Sequence, residues 1–520
     1  MAFFSEVGTT SATNMKAGKN YELSRSSHVN HSKSVENTAQ QADDIQEYEY
    51  NYLMEQNGLE EIRRYNRGGF HPIHLGDVLN DRFEVIHKLG SGGFGTVWLC
   101  QDCHTKEWRA IKIMVADHSS DSAEAKTFEF LKQNSSPEEL DQNHIAVPLE
   151  TFWIEGPNGR HFCLVMQIYG GPVSNWRLDL DAIDPSTKKT STELCGQITQ
   201  ALAFLHEKGI CHGDFRPSNI LMKLDQDALK KLDKVQMENL LGEAEAWELH
   251  TTSGESPRPK GPDYCVIPVA QKWCEKLLIP EIAVVDFGES FFTQSPRKTT
   301  GIPRSYAGPE VLFNRANAVR VDSWSLACTI YEVRTGDQLF GGAFSLGNKF
   351  DTIVREIIAI LGPLPEAYDE IWHREFLKCP RTKVSHNEAE SSDTIATDLD
   401  LEESDRIQDS GYDNKLEAML GAEKVQYPPF FGENSSDPPT KYRYEREEVL
   451  VLADLLRSLL KYDAEKRLEA KSVLQHPWLQ HTAASRKSRS NNSGPRGCYM
   501  TRFWSMFWDL GWGFPRNADK

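Results

Sequence analysis

The sequence has no long apolar run: no stretch of its 520 residues approaches the ~18 apolar residues of a membrane helix, so no transmembrane segment is predicted. The opening MAFFSEVGTT lacks a charged start followed by an extended apolar stretch, and no secretory leader is expected. Cysteine is sparse. The ten cysteines are scattered without framework spacing, which predicts a reducing cytoplasmic or nuclear setting rather than a disulfide scaffold. Cys100 and Cys103 form a lone C-x-x-C, and no second pair follows at zinc-site spacing. Basic charge is also short, with 58 Lys and Arg against 76 Asp and Glu and a net charge of -18. That balance argues against direct nucleic-acid or anionic-membrane binding and favours basic partners.

What is present suffices for a sizeable core, at 39% hydrophobic residues. The chain exceeds one ordinary domain of roughly 100–200 residues. Residues 1–64 are rich in Ser, Asn, Gln and charge and predict a disordered tail. Compact sequence follows to about His481, interrupted at 223–280 and 380–440 by polar stretches expected to loop out, although 226–249 carries enough Leu, Met and Glu for a helix. Phe83–Leu89, Thr96–Cys100, Trp108–Met114 and Phe162–Ile168 read as strands. Thr192–Lys208 places Leu194, Ile198, Ala201 and Leu205 on one helical stripe, and Val449–Leu460 reads as a second apolar helix. Strands first and helices later predict an α+β protein of two unequal lobes.

Gly90-Ser91-Gly92-Gly93-Phe94-Gly95 reads G-x-G-x-x-G between two predicted strands. Such glycines let backbone N–H groups approach triphosphate oxygens, although any glycine-rich hairpin gives the same pattern. A dinucleotide fold needs a helix after the last glycine, and a strand follows here instead. Lys112 sits within the strand Trp108–Met114, where a buried ammonium is costly unless it meets anions; an edge lysine in solvent is the plain alternative. The helix expected over Ala123–Lys132 offers Glu124 or Glu129 to hold that lysine. Glu124 is preferred with Thr127 and Leu131 facing inward, and the case of neither stays open. His212-Gly213-Asp214-Phe215-Arg216-Pro217-Ser218-Asn219 follows the amphipathic helix. Asp214 suits acceptance of a hydroxyl proton and Asn219 suits Mg²⁺, while His212 is expected to pack. Asp286-Phe287-Gly288 follows the apolar strand Ile282–Val285 and offers a second Mg²⁺ ligand in Asp286.

These four motifs stand in the order found in protein kinases, which the sequence resembles. The H-G-D segment also resembles small-molecule phosphotransferases. Tyr306–Glu310 resembles the A-P-E segment, Asp322–Cys328 resembles the D-x-W-S-x-G helix start, and Arg467 stands where protein kinases pair an arginine with the A-P-E glutamate, here Glu310. Together these favour a protein substrate. Tyr65–Asp77 with RFEVIHKLG, Gly95–Leu99 and Gly159–Met166 narrow the resemblance to the SR-protein kinase family, over roughly residues 65–480.

That resemblance implies a two-lobed kinase fold, with an N-lobe over 65–168, a C-lobe over 169–481 and an aromatic-rich tail over 482–520. It implies ATP and Mg²⁺ as cofactors, with Gly90, Gly92, Gly95 and Lys112 on the triphosphate and Asn219 and Asp286 on the metal. Leu89, Val97, Ala110 and Leu221 would wrap the purine, Met166 would be the gatekeeper, and Gln167 and Tyr169 would offer hinge backbone. Asp214 would handle the substrate hydroxyl and Arg216 the transferred phosphoryl group. The implied activity is a monomeric serine/threonine kinase acting on proteins that are basic or rich in Arg-Ser repeats. A nucleotide-binding scaffold without catalysis and a small-molecule phosphotransferase are the rivals. Departures from the family are Thr127, Gly213 in place of an arginine that reads activation-loop phosphate, and Arg216 in place of lysine. The acidic run Glu388–Asp409 reads as a solvated loop or as part of a basic-substrate groove. Tyr499–Phe514, with Trp504, Trp508 and Trp512, is assigned no role.

Overall fold

Alternation along three strands separates the first lobe into a core face and a pocket face. In the computed structural model, which describes residues 59–176, 185–297, 301–314, 320–342, 349–377, 414–426 and 440–480, β1 (Val78–Leu79), β2 (Phe83–Gly92), β3 (Gly95–Asp102), β4 (Trp108–Met114), β5 (Glu150–Gly156) and β6 (Gly159–Met166) form one sheet in the order β1-β2-β3-β4-β6-β5. Register pairs Val97 with Lys112, and Lys112 with Leu164, while Ala110 opposes Met166. Side chains two apart share a face, so these five point the same way. The intervening Trp98, Cys100, Ile111, Ile113, Cys163 and Val165 pack on the other face into an apolar core. The acidic run Glu388–Asp409 and the aromatic tail Tyr499–Phe514 lie outside the described residues.

The second lobe is helical. Leu194, Ile198, Ala201 and Leu205 of the helix Pro185–Glu207 are each at most 1% exposed. The helix Val321–Thr335 is buried almost all round, as an element at the centre of a large core must be. The amphipathic helix Arg446–Leu459 closes the core with Val449, Leu452, Leu455, Leu456 and Leu459. Between the lobes run short strands: β7 (Tyr169–Pro172), β8 (Ile210–Cys211) and β9 (Ile220–Leu224). β7 and β12 (Leu278–Val284) flank β9, and β8 pairs with β13 (Phe291–Phe292). The loop between β8 and β9 and the end of β12 therefore come side by side.

Three boundaries differ from the sequence expectation. The segment 223–280 does not loop out. Its helices Gln226–Lys230 and Lys234–Leu241 and its hairpin β10 (Ala246–Glu248) with β11 (Tyr264–Val266) fold back on the first lobe. Trp108 Nε1 donates to the Leu232 carbonyl at 2.9 Å, and the Val269 N–H donates to the Lys88 carbonyl at 2.9 Å. A few anchors, Met237, Cys265 and Trp273, are buried within a polar average that hid them. The helix expected over 226–249 is split by an Asp233–Gln236 capping box and stopped at Gly242, whose φ is 76°. Within 380–440, the helix Lys415–Gly421 packs Leu416 and Leu420 into the main core, one turn apart on one face. The supposed tail residue Glu60 is buried, its carboxylate shared by the Lys88 ammonium and the Tyr65 hydroxyl.

Candidate active site

The pocket faces of both lobes enclose a cavity of about 430 Å³. Leu89, Gly90, Gly92, Gly95, Val97, Ala110, Lys112, Met166, Gln167, Tyr169, Asn219, Leu221 and Asp286 all line it, as does Glu124. The strand pairing explains the upper wall, because Val97, Ala110, Lys112 and Met166 share one face. A Cβ on Gly90, Gly92 or Gly93 would meet nothing within 4 Å, so that stretch of backbone borders open space.

Lys112 is the hub. Its ammonium donates to Glu124 Oε2 at 2.7 Å and to Asp286 Oδ1 at 2.8 Å. Burial opposes its charge, but the two carboxylates outweigh that cost and hold it above the usual lysine range. Burial likewise raises the Glu124 carboxyl, with Lys112 pulling against it. Of the two candidate glutamates the structure selects Glu124; Glu129 is exposed and accepts from Gln133 Nε2 at 3.2 Å. Phasing is set by Thr127, Phe128 and Leu131, which bury the same helix face. The Thr127 hydroxyl lies 2.8 Å from that of Ser290, tying this helix to the segment after Asp-Phe-Gly.

Asp286 adopts φ 61°, a left-handed conformation rare outside glycine. The next residue, Phe287, is fully buried against Phe128 and His212 with ring centroids 5.3 and 5.1 Å away. A buried phenylalanine and a reversed aspartate together aim the Asp286 carboxylate into the cavity. Burial works to raise that carboxyl, and Lys112 holds it below the ordinary range.

Across the cleft floor, Asn219 Nδ2 donates to the Asp214 carbonyl and carboxylate, both at 2.8 Å, which turns its amide oxygen away as the atom free to meet a cation. Arg216 Nε reaches both Asp214 oxygens, at 2.9 and 3.1 Å. Burial pushes the Asp214 carboxyl upward against the pull of Arg216. His212 packs, as expected: it is fully buried, with Nε2 3.1 Å from the Val285 carbonyl. Gly213 has φ 76°, and a Cβ there would come within 2.3 Å of the Glu289 carbonyl. Glu289 instead ties the following loop to itself, accepting from the Gly301 N–H at 3.0 Å.

Four supports escaped sequence reasoning. Asp322, fully buried, accepts from the His212 and Gly213 N–H groups at 2.7 and 3.0 Å and holds the whole catalytic loop. Burial tends to raise its carboxyl, but His206 and its other partners keep it low. Its place in Asp-Ser-Trp-Ser was noticed, but the contact spans 110 residues. Val269 and Trp273, from the segment assigned to an excursion, also line the cavity. Arg64 reaches the glycine-rich loop, donating to the Gly93 carbonyl. Glu310 and Arg467 pair as expected in a buried two-pronged contact, 2.6 Å on each prong.

Comparison with known proteins agrees with this geometry. A family model described as Protein kinase domain matches residues 83–234 and 275–479, breaking within the folded-back segment. Serine/threonine-protein kinase SRPK of Physarum polycephalum is 27% identical over 434 residues, covering 80% of this chain and 90% of that protein. Protein kinase dsk1 of Schizosaccharomyces pombe is 23% identical over 512 residues, covering 82% of this chain and 85% of its own. SRSF protein kinase 3 of Homo sapiens is 32% identical over 179 residues, 33% of this chain and 31% of the human protein. The chain belongs to the protein kinase family, as a serine/threonine kinase of SRPK-like type.

Proposed function

We propose that this kinase moves the γ-phosphoryl group of Mg-ATP onto serine or threonine hydroxyls in basic, Arg-Ser-rich protein segments, acting as a monomer in the cytoplasm or nucleus. The observation that carries the catalytic reading is the Lys112 ammonium held between Glu124 and Asp286 at the back of the glycine-rich cavity. The basic-substrate reading is supported by the net charge of -18 and by likeness to proteins named as SRPK and SRSF kinases.

The residues present fit the nucleotide and its metal. Side-chain-free backbone borders the cavity roof, and a carboxylate and an amide oxygen form the hard donor set that Mg²⁺ takes when phosphates and water complete its shell. Bound there by Asp286 and Asn219, Mg²⁺ would neutralise charge on the phosphoryl oxygens. Lys112 would orient the phosphates nearer the adenosine. Asp214, its carboxyl raised by burial, would accept the proton as the hydroxyl oxygen bonds phosphorus and the bond to the nucleotide breaks. Arg216 would follow the transferred group, being the cation already on Asp214.

The test is transfer of label from γ-labelled ATP to a Ser-Arg repeat peptide. Asp214→Asn should lower kcat at least roughly a hundredfold with nucleotide affinity retained. Nucleotide bound but no label on any peptide would turn the reading to a scaffold, and label on a small alcohol would turn it to a small-molecule enzyme.

A further inference from the structure

At Gly90, Gly92 and Gly93 the glycine-rich loop offers the rest of the protein no side chain to grip, and that stretch borders open space. One side chain nevertheless holds its tip. Arg64, which precedes the region matched by the kinase family model, donates from Nη1 to the Gly93 carbonyl at 2.7 Å. We infer that Arg64 is a positioning residue for nucleotide, and that the segment 59–70 is a strap that sets the loop over the phosphates; this rests on the nucleotide reading of the cavity.

The strap is anchored on both sides of the arginine. Upstream, the buried Glu60 carboxylate takes the Lys88 ammonium, and Lys88 is fully buried on β2 two residues before Gly90. Downstream, the Gly68 and Gly69 carbonyls accept from the Asp117 and Ala116 N–H groups at 2.9 and 3.1 Å, and Asn158 Nδ2 donates to the Phe70 carbonyl at 2.7 Å. The guanidinium lies over the Phe70 ring, 4.7 Å from its centroid, which fixes its direction. The loop is also held at Phe94, whose carbonyl accepts from the Val115 N–H at 3.0 Å and whose ring meets that of His118 with centroids 5.4 Å apart. A hydrogen bond from a charged donor to the adjacent Gly93 selects one position for the glycine stretch in advance. Without it, the glycine stretch keeps more freedom until nucleotide arrives, and binding bears that entropy. The effect therefore falls on affinity for nucleotide, not on the chemistry.

Calorimetric titration of the full chain with Mg-ADP, alongside thermal melting, tests this. Arg64→Ala should weaken Mg-ADP binding about tenfold, Arg64→Lys should recover part of the loss, and neither should lower the melting temperature of the nucleotide-free protein. At saturating ATP, kcat on the peptide should stay within about twofold of wild type. Equal Mg-ADP affinity in Arg64→Ala overturns the inference, as does a fall in melting temperature with affinity intact. A wild-type chain that takes up no nucleotide overturns the cavity reading first, and the inference with it.

Discussion

At the scale of single residues, the site is organised by what burial costs a charge. Lys112, Glu124 and Asp286 are each disfavoured as ions by desolvation; the two carboxylates hold the ammonium charged, and Lys112 pulls both carboxyls down, at Glu124 against the neighbouring Asp286. Glu124→Gln keeps the shape of the side chain but removes the negative charge 2.7 Å from the ammonium. We expect kcat/KM for ATP to fall roughly tenfold or more, because Lys112 then leans on Asp286 alone and draws that carboxylate from the position proposed for Mg²⁺ binding. Unchanged kcat/KM would show that Glu124 does not set the position of Lys112. Lys112 itself was legible in the sequence, as an otherwise costly lysine on a buried strand. Glu124 was preferred over Glu129 from Thr127 and Leu131 facing inward, but the choice stayed open, because a helix of mixed polarity has no unique inward face until Phe128 and Leu131 pack into the core.

At the scale of elements, the folded-back segment 223–280 is the unexpected part. The kinase family model omits residues 235–274, yet Trp273 is only 9% exposed and packs with Leu99, Trp108 and Ala110 while also bordering the cavity. Trp273→Ala should destabilise the protein by roughly 3–5 kcal/mol in chemical denaturation and raise the KM for ATP, since one wall of the cavity loses its backing. Trp273→Phe should restore most of both. A variant that loses stability with KM unmoved would confine Trp273 to the core. The sequence misled here for a physical reason. Composition averages over a window, whereas packing needs only a few apolar side chains at the right places, and Met237, Cys265 and Trp273 supply them.

At the scale of the whole molecule, buried histidines make stability depend on pH. His71 and His161 meet edge-on with ring centroids 4.8 Å apart; burial, with the neighbouring His161 adding to it, lowers the His71 pKa to about 3. Unfolded, such a histidine titrates near 6.5. Between these values the unfolded chain binds a proton that the folded chain refuses. The stabilising contribution is therefore complete above about pH 6.5 and is lost as pH falls toward 3. His71→Phe should flatten the pH dependence of unfolding free energy between about pH 5.5 and 4 by up to about 1.4 kcal/mol per pH unit. Parallel curves for variant and wild type would mean that His71 is not held neutral.

Local chemistry was written into the sequence. Glycines that permit close backbone approach, a strand lysine, and an aspartate and asparagine at fixed spacing name their reaction wherever they occur in order, because each depends on neighbours within a few residues. That Val97 and Ala110 border the cavity was implied by the family resemblance, and the strand register puts both on the cavity face. Only the tertiary structure decided which glutamate meets Lys112, that Asp322 holds the catalytic loop from 110 residues away, and that Arg64 reaches the glycine-rich loop and Trp273 lines the cavity from outside the residues matched by the family model. Contacts of that range depend on how helices and strands dock, and docking is selected by the summed burial of many side chains, which no short window of sequence contains.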